Sequence, residues 1–220
     1  MQQLISIVAL LIGYLYGYRK IQNVYSEALQ LALEVLIIGV SSSFLISLIE
    51  QMVYYKQIIL LGERFYGSIL IVSIYLCFRL RDVAHNLFIL QTIFLSACIG
   101  AVIGKLGCVL YHPQCYGSPT DYFWGMSLPL QNDNLYHHPT ALIELIFYLL
   151  LFLLFLAFKV IAPFRLILIV CLFEFAIECL KDKHDLFLGL DMAQVCYLGL
   201  VLLIPIQIRI MDGSKAIQNI

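Results

Sequence analysis

Seven stretches of mostly apolar residues, at roughly 3–18, 28–53, 65–80, 87–110, 139–158, 163–181 and 190–210, leave little chain for anything else. A helix needs about 20 such residues to cross the hydrocarbon core of a bilayer. The first and third are short enough to require tilt, flanking residues or partial insertion. The chain is 62% hydrophobic and 12% charged, whereas a soluble domain carries about twice that charged fraction. The expected fold is therefore all-α, a polytopic integral membrane helical bundle of about seven transmembrane helices. Short connections favour one transmembrane domain over residues 1–220, with an outer-face polar and aromatic loop at 111–138.

Orientation follows from the basic residues. Arg19 and Lys20, Arg79 and Arg81, Lys159 and Arg165, and Arg209 and Lys215 fall at alternate span ends, all on one side. Lys and Arg mark the cytoplasmic side, so the N-terminus is expected outside and the C-terminus in the cytoplasm. Residues 111–138 contain no Lys or Arg, and Lys56, Arg64, Lys105, Lys181 and Lys183 gather near the outer side. A net charge of -1 without a basic run gives no ground for a nucleic-acid partner. The first apolar segment runs into Arg19-Lys20 with no small-residue cleavage site, so it reads as a retained span. Seven cysteines without a CxxC pair argue against a disulfide framework or a zinc site.

Ionisable groups in apolar helices are costly and mark function by default. Glu34 and Glu50 belong to the second span, and Glu144 lies one turn into the fifth. Glu174 and Glu178 share a face of the sixth, with Lys181 three residues on. The competing reading is that these carboxylates pair with Arg64, Lys105 or Lys181 and simply join helices. Gly100, Gly104 and Gly107 lie near one face of span four, and Gly39 with Ser41, Ser42 and Ser43 interrupts span two. Small residues at such spacing let helices approach closely; the other reading is room for a lipid head group beside Lys105.

The polar chemistry concentrates between Gly100 and Glu144. Lys105 and Cys108 are one turn apart, and an ammonium there suits a phospholipid phosphate because charge-assisted contacts strengthen where water is scarce. Gly117 and Pro119 supply a chain reversal in Cys115-Tyr116-Gly117-Ser118-Pro119-Thr120. Tyr122, Phe123 and Trp124 fit an interfacial aromatic belt, with Trp124 as an anchor. His138-Pro139 opens the next helix, so His138 either caps it or moves a proton. His85, His112, His137 and His184 read as ordinary interfacial residues.

These motifs resemble the prolipoprotein diacylglyceryl transferase family. The resemblance rests on Gly104-Lys105-Leu106-Gly107-Cys108, on QCYGSPTDYFWGMSLP, and on His138-Pro139-Thr140-Ala141-Leu142-Ile143-Glu144. Tyr66-Gly67-Ser68, Phe173 to Lys181, and Gly189-Leu190-Asp191-Met192-Ala193-Gln194 extend it from about residue 8 to 205. Departures are present. Lys105 stands at the family's signature arginine, Cys108 where many members have asparagine, and Glu174 at a late arginine. His112-Pro113 fits one extra residue into the turn, and the tyrosine expected in span one is missing.

The resemblance implies a multi-pass enzyme of the bacterial cytoplasmic (inner) membrane that moves a diacylglyceryl group from phosphatidylglycerol to a prolipoprotein signal-peptide cysteine. It implies membrane lipid as a partner and neither cofactor nor metal. Lys105 with Arg64 would hold the phosphate. His138 or Glu144 would transfer the proton, because the thiolate is the nucleophile, and Tyr66 would assist or bind the head group. Glu178 and Lys181 would shape the substrate site, which Cys108 and Gly117 also line. The rival reading is a catalytically impaired relative that binds lipid or signal peptide without turnover. A transporter would require an inverted repeat and broken helices, which the sequence does not display.

Overall fold

The computed structural model of the chain describes residues 2–54, 65–83, 85–111, 115–127, 135–157, 163–181 and 190–218. Within them lie seven helices: α1 (Gln2–Ile21), α2 (Ala28–Tyr54), α3 (Phe65–Arg79), α4 (Asn86–Tyr111), α5 (Thr140–Ala157), α6 (Pro163–Glu178) and α7 (Met192–Gln218). Each coincides with one apolar stretch. Four of them are long and apolar enough to cross a membrane by length and composition, over Ala28–Ile49, Asn86–Tyr111, Thr140–Ala157 and Met192–Met211. The fold is an all-α polytopic membrane bundle. Its outer surface is apolar all round, as with Ile37 (63% exposed) and Leu202 (67% exposed), and such helices are at home in lipid.

Local chemistry sets the helix ends. Pro163 opens α6, where its missing N–H costs nothing. Asp191 and Gln194 form a reciprocal capping box at α7: Gln194 N donates to Asp191 Oδ1 (2.7 Å) and Asp191 N to Gln194 Oε1 (3.2 Å). The α6 helix stops at Glu178, short of the expected 181. Its last amides, Cys179, Leu180 and Lys181, bond three residues back to Ala176, Ile177 and Glu178, which tightens the turn and ends the helix. Lys181 therefore leaves the helix rather than continuing its face.

Among the helices, α4 packs against α1 on one side and α5 on the other, α3 against α2 and α7, and α6 against α7. One core joins Leu31, Leu76, Leu80, Ile89, Cys171 and Leu200, and a second joins Cys98, Tyr148, Leu151, Leu166 and Val170. The seam between α1 and α4 is built on glycine. A Cβ on Gly13 would sit 2.7 Å from the Ser96 carbonyl oxygen, and one on Gly107 3.0 Å from Ile5 Cγ2. Gly100 and Gly107 thus fulfil the packing reading, whereas a Cβ on Gly104 would meet nothing within 4 Å.

One of the acidic candidates, Glu34, does not join the others. Glu34 accepts from Tyr75 and from Arg79 Nε (3.3 Å), and Arg79 also reaches Glu27 at 2.5 Å. This network lies where α3 ends and α2 begins, at the opposite end of the bundle from Lys105. The Glu50 side chain and Arg64 lie outside the described residues.

Candidate functional site

Lys105, near the end of α4, and Glu144, in the first turns of α5, meet at the polar end of the bundle. Glu144 is fully buried and receives one ammonium on each oxygen. Lys105 pairs with Oε2, and Lys181 with Oε1 at 3.0 Å. Lys181 also pairs with Glu178 Oε1 at 2.8 Å. Behind them Glu174, 3% exposed, accepts a hydrogen bond from the Tyr148 hydroxyl at 2.6 Å. Four segments, from α4, α5, α6 and the turn after α6, thus converge in one ionic cluster. Water is scarce here, so each contact is stronger than on a surface, and each ion depends on its partner to offset lost hydration.

The cluster holds three carboxyls against two ammoniums. Oxygens of Glu144, Glu174 and Glu178 lie within 4.8 Å of one another, close enough to hold a metal ion. Lys105 and Lys181 already pair with Glu144, and Lys181 with Glu178, so the chemistry of the set is that of an ion-pair network. An anionic ligand entering here would have to compete with Glu144 for the ammoniums.

The polar turn is bolted over this cluster by backbone contacts. Gly117 N donates to His138 O (2.8 Å), and His138 N to Ser118 O (3.1 Å). Ser118 donates to the Leu180 carbonyl through both N (2.9 Å) and Oγ (3.1 Å), which fixes the residue next to Lys181. Thr140 Oγ1 donates to Cys115 O (2.8 Å) and ties the turn to the start of α5. Gly117 is required by this closeness. A Cβ there would collide with the Leu180 carbonyl oxygen and sit 2.8 Å from His138 Cβ. Two short strands follow, β1 (Met126–Ser127) pairing antiparallel with β2 (Tyr136–His137).

The structure brings Lys105, Glu144, Glu178 and Lys181 together, and the other described candidates lie at different removes from them. His138 is buried beside the cluster, its Nδ1 accepting from Trp124 Nε1 at 3.3 Å. Trp124, expected as an anchor, stacks on Tyr122 at 4.5 Å and holds His138. His137, expected to be unremarkable, donates Nδ1–H to Gly117 O at 3.0 Å. Tyr66 sits in the core, edge-on to Tyr197 at 6.3 Å. Tyr197 is itself within electrostatic reach of Glu174, Glu178 and Glu144, so Tyr66 approaches the site at one remove. Cys108, one turn beyond Lys105, accepts a hydrogen bond from the Cys115 thiol. That bond, and then burial, push the Cys115 thiol up from its ordinary range.

Sequence reading missed Tyr148, Tyr197 and Gln194. Gln194 is fully buried and donates Nε2–H to Cys179 Sγ at 3.2 Å, besides capping α7. The Asp191-x-x-Gln194 spacing was a readable signal for that cap.

Comparison with known proteins follows the same outline. The family model described as prolipoprotein diacylglyceryl transferase matches residues 3–209. A phosphatidylglycerol–prolipoprotein diacylglyceryl transferase of Wolbachia sp. subsp. Drosophila simulans (strain wRi) is 34% identical over 92 residues, 39% of this chain and 33% of the relative. The protein so named in Wolbachia pipientis subsp. Culex pipiens (strain wPip) is 34% identical over the same shares, and that of Wolbachia pipientis wMel 33%. The match thus spans about a third of the length of these curated relatives.

Proposed function

The chain belongs to the prolipoprotein diacylglyceryl transferase family, and from that premise we propose that it transfers a diacylglyceryl group from phosphatidylglycerol to the cysteine thiol of a prolipoprotein signal peptide. The observation that carries this reading is the convergence of Lys105 and Lys181 on Glu144, within the family's own motifs and at one end of a membrane bundle. In the orientation given by Lys and Arg placement, with the N-terminus outside and the C-terminus cytoplasmic, that end faces outward from the bacterial inner membrane.

The reaction forms a carbon–sulfur bond and breaks the bond between the glyceryl carbon and the phosphate oxygen. Glycerol phosphate leaves with that electron pair, and the thiol proton passes to a base. Lys105 and Lys181 supply positive charge where the departing phosphate gathers negative charge. Arg64 joins them in this proposal on sequence grounds. Phosphate binding exchanges one anion for another, displacing Glu144 from the ammoniums. A carboxylate relieved of its cations in a dry site is a proton acceptor, which suits Glu144 to receive the thiol proton. His138 is the alternative base on sequence grounds; with Nδ1 accepting from Trp124 its proton sits on Nε2, so Nδ1 takes the thiol proton only when Trp124 releases it. Gly104, with open space beside it, leaves room for the head group next to Lys105.

One observation favours the impaired relative: in the structure every ammonium of the cluster is already neutralised by a carboxylate. A single assay separates the two readings. Purified protein is incubated with phosphatidylglycerol and a lipobox peptide, and the peptide is weighed by mass spectrometry. The enzyme adds the mass of a diacylglyceryl group. Unmodified peptide together with saturable peptide or lipid binding supports the impaired relative.

A further inference from the structure

We propose that Cys108 and Cys115 form an oxidation site, a disulfide that closes between the end of α4 and the polar turn when a small-molecule or protein disulfide supplies the oxidising equivalents. The proposal does not rest on the transferase reading. Both are free thiols, half-buried, and the Cys115 thiol donates to Cys108 Sγ at 2.6 Å. Their side chains already face each other, so closure needs no rearrangement of the backbone that carries them. The surroundings hold them in register: Thr140 grips the Cys115 carbonyl, and the Tyr116 hydroxyl donates to Val109 O at 3.3 Å. The other described cysteines differ. Cys77, Cys98, Cys171 and Cys196 are buried in apolar core, and Cys179 is exposed with Gln194 and the Phe175 carbonyl as neighbours.

The position of Lys105 sets the order of events. Cys108 lies one turn from the Lys105 ammonium on α4, a cation favours a neighbouring thiolate, and the thiolate is the attacking species. Cys108 attacks one sulfur of the incoming disulfide and expels the other as a thiolate. Cys115 then loses its proton and attacks Cys108 Sγ, expelling the second thiolate. Two protein thiols and one disulfide become one protein disulfide and two free thiols, with no other oxidant needed. The second step is intramolecular and therefore fast, so the mixed disulfide does not accumulate.

The test treats the full-length protein in detergent micelles with oxidised glutathione, alkylates the remaining thiols, and maps peptides without reduction. The expected product is a linked Cys108–Cys115 peptide, lighter than the dithiol by two hydrogen atoms and lost on treatment with dithiothreitol. Cys179 stops at a glutathione adduct and serves as the internal control. In Cys115→Ser the adduct persists on Cys108. Alkylation of both Cys108 and Cys115 under conditions that modify Cys179 would overturn the proposal. So would a link from either residue to a third cysteine, or an unreacted Cys108 in Cys115→Ser.

Discussion

Lys105 of α4 closes an ion pair with Glu144 of α5, a carboxylate with no solvent exposure, and so joins two helices where the polar turn folds over them. Removing one member of a buried pair strands the other, whereas replacing both by apolar groups does not. Lys105→Met alone is expected to destabilise the bundle by about 3 kcal/mol, the low end for a broken buried pair because Lys181 still serves Glu144. Lys105→Met/Glu144→Leu is expected to lose less than the two single variants summed, by about 1 kcal/mol or more. Thermal unfolding in detergent measures the cycle, and strictly additive losses would show the pair to be uncoupled.

The same lysine bears on turnover in the proposed reaction. Lys105→Ala is expected to lower the lipid-transfer rate by about 10²–10³-fold, the usual cost of removing one charge-stabilising donor. Lys105→Arg, which keeps the charge and adds a bidentate fork, is expected to retain activity. Unchanged lipoprotein labelling by Lys105→Ala in a complemented null strain would refute this role.

Two glycines in neighbouring motifs should respond in opposite ways. Gly117→Ala drives a methyl into the Leu180 carbonyl and His138 and is expected to cost about 1–3 kcal/mol, as for other overpacked sites. Gly104→Ala meets open space and is expected to stabilise α4 by up to about 1 kcal/mol through helix propensity. If the space beside Gly104 receives the head group, that stabler variant transfers lipid more slowly. Unfolding temperatures and the peptide assay read the two effects separately.

Tyr148→Phe removes the one hydrogen-bond donor to buried Glu174 among the described residues. Leaving the carboxyl oxygen unsatisfied is expected to cost about 1–3 kcal/mol. Adding Glu174→Leu to Tyr148→Phe is expected to recover most of that loss. A double variant no more stable than Tyr148→Phe would show that Glu174 has other partners that matter more.

At the far end of the bundle, Glu27 lies in the connection between α1 and α2. The Arg79 hydrogen bond first, then that from Tyr25, hold its carboxyl below the ordinary value of 4.5. A depressed carboxylate stabilises the fold above the unfolded value, and that contribution is lost as pH falls through the folded one. Arg79→Gln is therefore expected to return the Glu27 titration toward 4.5, measured by carbon NMR of the labelled carboxyl. An unmoved titration midpoint would detach Glu27 from Arg79.

The helices were legible because apolar runs long enough to cross a bilayer leave little choice of secondary structure. Lys105, Glu144, Glu178 and Lys181 were legible because charge inside such runs is rare. What the chain did not disclose are contacts between distant positions. Nothing near Tyr148 announces that its hydroxyl meets Glu174, since tyrosine in an apolar helix packs equally well with its hydroxyl elsewhere. Cys108 and Cys115 are separated by a turn whose path depends on Thr140 and Leu180, so their meeting is a tertiary fact. Trp124 suited an interfacial belt by residue type alone, and only the fold brings its indole N–H to His138. The end of α6 differed for a similar reason: its closing turn tightens beside Ser118, which lies 62 positions before Leu180.

Ser118 clasps one peptide oxygen with two hydrogens, and that clasp turns a segment lacking any helical ladder into a strut. The carbonyl of the residue before Lys181 is thus held by the turn and not by its own helix. The ammonium that meets Glu144 is positioned from two directions, along the chain from α6 and across it from Ser118.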